Sequence, residues 1–79
     1  MADVKVLFGQ RLKIIRERKQ ISQERLAALA GLNRTYISKI ERGERNITLT
    51  TMMRLAHALG CNITDLFSNL KDVDSSLPT

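Results

Sequence analysis

The 79-residue chain has no tryptophan, one tyrosine, two phenylalanines, one cysteine and one proline. Cys61, being alone, forms no intrachain disulfide, so a disulfide-stapled fold is excluded and a reducing, cytoplasmic setting is the simplest reading. With Phe8, Tyr36 and Phe67 as the aromatic residues, the core has to be aliphatic, built from Leu, Ile, Met and Ala, a palette that suits helices. No apolar run approaches the roughly 20 residues of a membrane span. The N-terminus lacks the basic-then-apolar pattern of a signal peptide. Missing too are a nucleophile–base pair, a phosphate-cradling glycine loop and any metal-ligand spacing. His57 and Cys61 are four apart, but Gly60 interrupts the helix between them and no further ligands accompany them. An enzyme is therefore rejected, and no metal, cofactor or membrane partner is expected.

What is present is positive charge, unevenly placed. Of the net +5, residues 11–45 carry ten basic side chains against four acidic ones, whereas residues 46–79 carry two against three. A cationic first half and a slightly anionic second half suit a protein that meets a polyanion with one face and a partner with the other. An ordinary solvated basic surface reads the same way from charge alone, so the decision falls to the motifs. The length allows one domain, expected over residues 1–70, with a flexible tail over 71–79 that contains Pro78. No segment remains for a ligand-sensing domain, and no small-molecule ligand is expected. So small a domain buries a modest core, and dimerisation would add to it.

Helical periodicity runs along the chain. Val4, Leu7, Phe8, Leu12 and Ile15 recur at steps of three and four, predicting a first helix over residues 4–19. Ser22 is the expected N-cap of a second helix, which buries Leu26, Ala27 and Ala30 and stops at Gly31. Asn33 is the cap of a third, with Ile37 and Ile40 inward and Gly43 at its end. Thr48 caps a fourth, with the stripe Leu49, Met52, Leu55, Ala56 and Leu59, closed by Gly60. Asn62 caps a fifth in a capping-box arrangement with Asp65, burying Ile63, Leu66, Phe67 and Leu70. The predicted fold is all-α, a compact five-helix bundle with no strand and no repeat.

Residues 22–43 hold the functional signal. Two short helices are separated by Gly31-Leu32, and the second opens on Asn33-Arg34-Thr35-Tyr36. That is the layout of a helix-turn-helix, whose second helix points its N-terminal residues at base edges in the major groove. Ile37 and Ile40 tie this helix to the core, leaving Arg34, Thr35, Ser38 and Lys39 on other faces. Arg34 can offer a bidentate fork to guanine O6 and N7, and Thr35 can meet a thymine methyl or a base acceptor.

A helix pair around a glycine is common, but the match here extends further. Phe8-Gly9, Arg11-Leu12, Ile15-Arg16, Ser22-Gln23-Glu24, Leu26-Ala27, Ala30-Gly31-Leu32, Tyr36-Ile37-Ser38, Ile40-Glu41, Gly43, Leu49, Ala56, Leu59-Gly60 and Asp65-Leu66-Phe67 resemble the five-helix domain of the phage repressor and Cro family (the lambda-repressor-like DNA-binding domain). The resemblance covers residues 7–70 without gaps. Within that family, the run from Asn33 to Thr48 is similar to the controller proteins of restriction-modification systems.

The resemblance implies roles. Arg34, Thr35, Tyr36 and Ser38 would make base and adjacent phosphate contacts. Gln23, Lys39, Arg45 and Asn46 would hold the phosphate backbone. Arg11 and Glu41 match a family ion pair tying helix one to helix three. The sequence departs from the pattern at Asn33, where close controller relatives often have aspartate, and at Ile47, where a proline is usual before helix four. Either cap starts the helix, so the first departure alters the potential near DNA and leaves the fold intact.

The expected function is a transcription regulator that binds a pseudo-palindromic operator on double-stranded DNA as a homodimer. Leu66, Phe67 and Leu70, with the end of helix four, would form the two-fold interface, setting two recognition helices about 34 Å apart. Resemblance to the controllers implies autoregulation and timed expression of a restriction endonuclease gene, with RNA polymerase as a candidate partner. A phage-type repressor or an antitoxin regulator is the nearest alternative. A protein-interaction domain that keeps the fold without DNA is the remaining one, and it predicts no salt-dependent nucleic-acid binding.

Overall fold

A computed structural model describes residues 3–67. The described residues contain five helices and no strand: α1 (Val4–Arg18), α2 (Gln23–Ala30), α3 (Arg34–Glu41), α4 (Leu49–Leu59) and α5 (Ile63–Phe67). The expected tail over 71–79 and the expected interface residue Leu70 lie outside the described residues. Among the described residues, no helix is long and apolar enough to cross a membrane.

The helix starts follow from side-chain caps. Ser22 Oγ accepts from the Arg25 amide at 3.0 Å, Asn33 Oδ1 from the Tyr36 amide at 2.8 Å and Thr48 Oγ1 from the Thr51 amide at 3.1 Å. Each satisfies an amide that has no partner inside its helix. At α5 the Asn62 amide donates to Asp65 Oδ2 at 2.9 Å, the reciprocal half of a capping box. The sequence reading missed Asp3, which caps α1 by accepting from the Lys5 amide at 2.8 Å. Gly31 and Gly60 close α2 and α4 as expected. The turn after α1 is made without glycine: Gln20 takes φ 58°, while its amide bonds Glu17 O and the Ile21 amide bonds Arg16 O.

Leu12, Leu26, Ile37, Ile40, Leu55 and Leu66 are fully enclosed, with Phe8, Ile15, Ala27, Ala30, Ala56 and Leu59 completing the core. Transferring such side chains from water is the main driving force of the fold, at about 1.5–3 kcal/mol each. α3 packs on α1 and α2, α4 on α2, and α5 on α1 and α4. The α1–α3 junction is unusually close. A Cβ at Gly9 would lie 2.3 Å from Ile40 O and 2.8 Å from Glu41 O, so the two backbones meet where only glycine fits.

Three expectations about burial are corrected. Val4 and Leu49, placed on the buried stripes by periodicity, are 62% and 68% exposed; each is the first residue of its helix. Leu66 was expected at the dimer interface, yet none of its surface is accessible. α5 packs on both α1 and α4, and Leu66 is the side chain it sinks into their shared core. It therefore has nothing to offer a second copy. Phe67 remains partly exposed.

Candidate nucleic-acid interface

The third helix is held from behind and open in front. Ile37 and Ile40 are inaccessible and anchor it to the core. At 100° per residue, Thr35, Ser38, Lys39 and Arg42 then fall on the side opposite these isoleucines. Arg34 and Thr35 are exposed, and Ser38 and Lys39 are half-buried. Asn33, Thr35, Tyr36, Lys39 and Arg45 line an open concavity of about 280 Å³ between the start of α3 and the loop after it. Four residues expected to touch DNA are thus brought to one depression: Thr35, Tyr36, Lys39 and Arg45.

Tyr36 organises that depression. Its ring packs against the core edge and carries the Arg45 guanidinium 5.3 Å from its centroid. This cation–π contact ties the loop to the helix while leaving the charge outward. Asn46 is exposed beside it. Gly43 directs the chain into the loop at φ 74°, and a Cβ there would lie 2.8 Å from Val6 Cγ2 and 2.9 Å from Val6 Cα. Positive φ and steric crowding both demand glycine at this corner.

Arg34 projects freely. Its Nε is 4.0 Å from Glu24 Oε1, with both side chains well exposed. Such a pair is worth at most about 1 kcal/mol, so Arg34 can exchange it for a base edge. Gln23 is less free: its Nε2 donates to Glu41 Oε1 at 3.0 Å, which leaves a single amide proton for any outside acceptor.

Glu41 is the hub of a buried network that corrects the expected ion pair. Its carboxylate takes Arg16 Nε at 2.6 Å and Arg16 Nη2 at 3.1 Å, while Arg16 Nη1 donates to Ile21 O at 2.8 Å. Arg11, the expected partner, instead sends its Nε to Asp65 O of α5 at 3.1 Å. Helical phase explains the exchange. Arg16 lies two turns after Gly9, on the face of α1 that meets α3, and Arg11 is rotated from it by about 140°, toward α5. The Glu41 hydrogen bond raises the Arg16 pKa above its already high ordinary value, outweighing the burial that opposes it. The signal was present in the sequence: Arg16 follows Leu12 by four residues on the buried stripe, where an arginine needs an acid partner.

A second group went unnoticed in the sequence. At the far end of α3, Arg42 Nε donates to Glu44 Oε2 at 2.6 Å and Arg42 Nη1 donates to Ser38 Oγ. The Arg42 guanidinium holds the Glu44 carboxyl below the usual carboxylate range. Cys61 behaves as a small filler packed at the core edge, its thiol pushed up by burial and by Asp65.

Comparison with known proteins adds to this geometry. A helix-turn-helix family profile matches residues 12–66. The chain is 42% identical over 72 residues to control protein C.MunI from a Mycoplasma species, covering 90% of this chain and 97% of that relative. It is 41% identical over 66 residues to control protein C.SmaI from Serratia marcescens, covering 84% and 79%. Among solved structures, it is 45% identical to the restriction-modification controller protein C.AhdI from Aeromonas hydrophila, with a TM-score of 0.81 over 84% of this chain and 100% of that one.

Proposed function

Since the chain is a DNA-binding regulator that belongs to the helix-turn-helix family, among the control proteins of restriction-modification systems, we propose that it binds a pseudo-palindromic operator as a homodimer and controls its own promoter and a restriction endonuclease gene. The observation that carries this reading is the front of α3. Arg34 and Thr35 stand exposed at its start, Ser38 and Lys39 follow on the outward face, and Arg45 is held over Tyr36 at the rim. In this reading Arg34, Thr35 and Ser38 meet base edges, and Lys39, Arg45, Asn46 and the remaining Gln23 proton meet phosphates.

The dimer seam proposed here differs from the one expected. Leu49 and Met53, four apart on one face of α4, are 68% and 54% exposed, and Phe67 at the end of α5 is 38% exposed. Apolar surface of this kind favours a second copy over water, and a two-fold through it would present two α3 helices to successive major grooves.

Binding to duplexes selected from a randomised pool, measured over a range of salt concentrations, tests the reading. The selected duplex should bind at least about a thousandfold more tightly than a scrambled one, and affinity should fall steeply as salt rises. Equal affinity for both duplexes would overturn it.

A further inference from the structure

Ser38 and Arg42 are one turn apart on the outward face of α3, and Glu44 follows in the loop. Arg42 is fastened at both ends. Its Nε and Nη2 donate to Glu44 Oε2 and Oε1 at 2.6 and 3.5 Å, and its Nη1 donates to Ser38 Oγ. Two consequences follow from the donor and acceptor inventory. A guanidinium has no acceptor, so in this contact the serine hydroxyl must accept, which leaves its own proton and one of its two lone pairs. No hydrogen bond among the described residues uses that proton. A helical serine usually turns its proton back to a carbonyl one turn earlier; here Arg42 takes a lone pair and the proton remains available outside. Moreover, the Nε/Nη2 edge of Arg42, the edge a guanine would take, already faces Glu44.

We infer that Arg42, held by Glu44, is a positioning residue that fixes Ser38 as a hydrogen-bond donor toward the major groove. With the Arg42 cation on one lone pair, Ser38 donates to a base-edge acceptor (guanine O6 or N7, adenine N7 or thymine O4) more readily than its remaining lone pair accepts from the amino groups of cytosine and adenine. Specificity at one base pair of each half-site is thus set by three residues, of which only Ser38 touches DNA. The inference rests on the DNA-binding reading above, and the two fail in different ways.

The test is selection of bound sequences from a randomised duplex pool by the wild-type chain, Ser38→Ala, Arg42→Ala, Glu44→Gln and the Ser38→Ala/Arg42→Ala double variant, with thermal melts to show that each is folded. Ser38→Ala should flatten the preference at one base pair about fivefold, the share of a single hydrogen bond. Arg42→Ala should flatten the same base pair, Glu44→Gln should do so in part, and the double variant should go no further than Ser38→Ala, because the residues act as one unit. Uniform weakening on all sequences by Arg42→Ala would overturn the inference, as would a change at a different base pair. So would an unaltered preference in Ser38→Ala. A wild-type chain that selects no sequence would overturn the underlying reading, and the inference with it.

Discussion

Arg16 and Glu41 join α1 to α3 through a 2.6 Å ion pair whose side chains are only 10% and 4% exposed. With Gln23 on the same carboxylate and Ile21 O on the same guanidinium, the pair locks three segments behind the outward face of α3. Removing one partner strands a buried charge and unpairs its neighbours.

Glu41→Gln should therefore cost about 3 kcal/mol of stability, and Arg16→Met a similar amount. Each kcal/mol corresponds to roughly 4–8 °C in Tm for a domain of this size. The double variant Arg16→Met/Glu41→Leu should recover most of the loss, because an apolar pair leaves no orphan charge. Thermal melts read all three. Additive losses in the double variant would mean that the two side chains do not act as a pair.

Gly9→Ala sets two effects against each other. Helix propensity favours alanine by about 1 kcal/mol. A Cβ 2.3 Å from Ile40 O and 2.8 Å from Glu41 O meets backbone that no rotamer change can move. Overpacking costs typically about 1–3 kcal/mol and should win here. The melting temperature should fall, with DNA affinity falling alongside it as α3 is pushed away from α1.

The α4 and α5 apolar residues should separate cleanly by burial. Leu66→Ala should cost about 3 kcal/mol of stability, as deletion from a closed core does. Met53→Glu, on the exposed face of α4, should instead yield a folded monomer of 8.9 kDa by sedimentation. An unchanged dimer mass for Met53→Glu would remove that face from the seam.

Glu44 should titrate low. Its carboxyl is depressed by Arg42, so the small stabilisation from this pair is present above the ordinary carboxylate pKa and is lost as pH falls through the lower folded value. The carboxyl carbon shift of Glu44 should give a midpoint below that of an unfolded reference peptide, and Arg42→Ala should bring it back up.

Most of the fold was legible because it is written locally. Ser22, Asn33, Thr48 and Asn62 announce the helix starts, and the leucine and isoleucine stripes mark the buried faces. The errors arise where the decisive fact is non-local. Which arginine of α1 reaches Glu41 depends on the azimuth of α3 around α1, set by the close approach at Gly9; spacing marks Arg16 as a buried arginine in need of an acid but does not say which acid reaches it. Whether Leu66 is core or interface depends on how deeply α5 sits between α1 and α4. Arg42 and Glu44 are only two apart in sequence, but their meaning emerges only when Ser38 is seen on the same face.

Whether the start of α3 reads bases is decided by Arg34→Ala, assayed on the selected operator and on each of its single-base variants. The variant should lose about 1–3 kcal/mol on the preferred sequence and relax the preference at one base pair, with unrelated duplex bound nearly as before. An equal loss on every duplex would make Arg34 a phosphate contact, and α3 would not read bases through it.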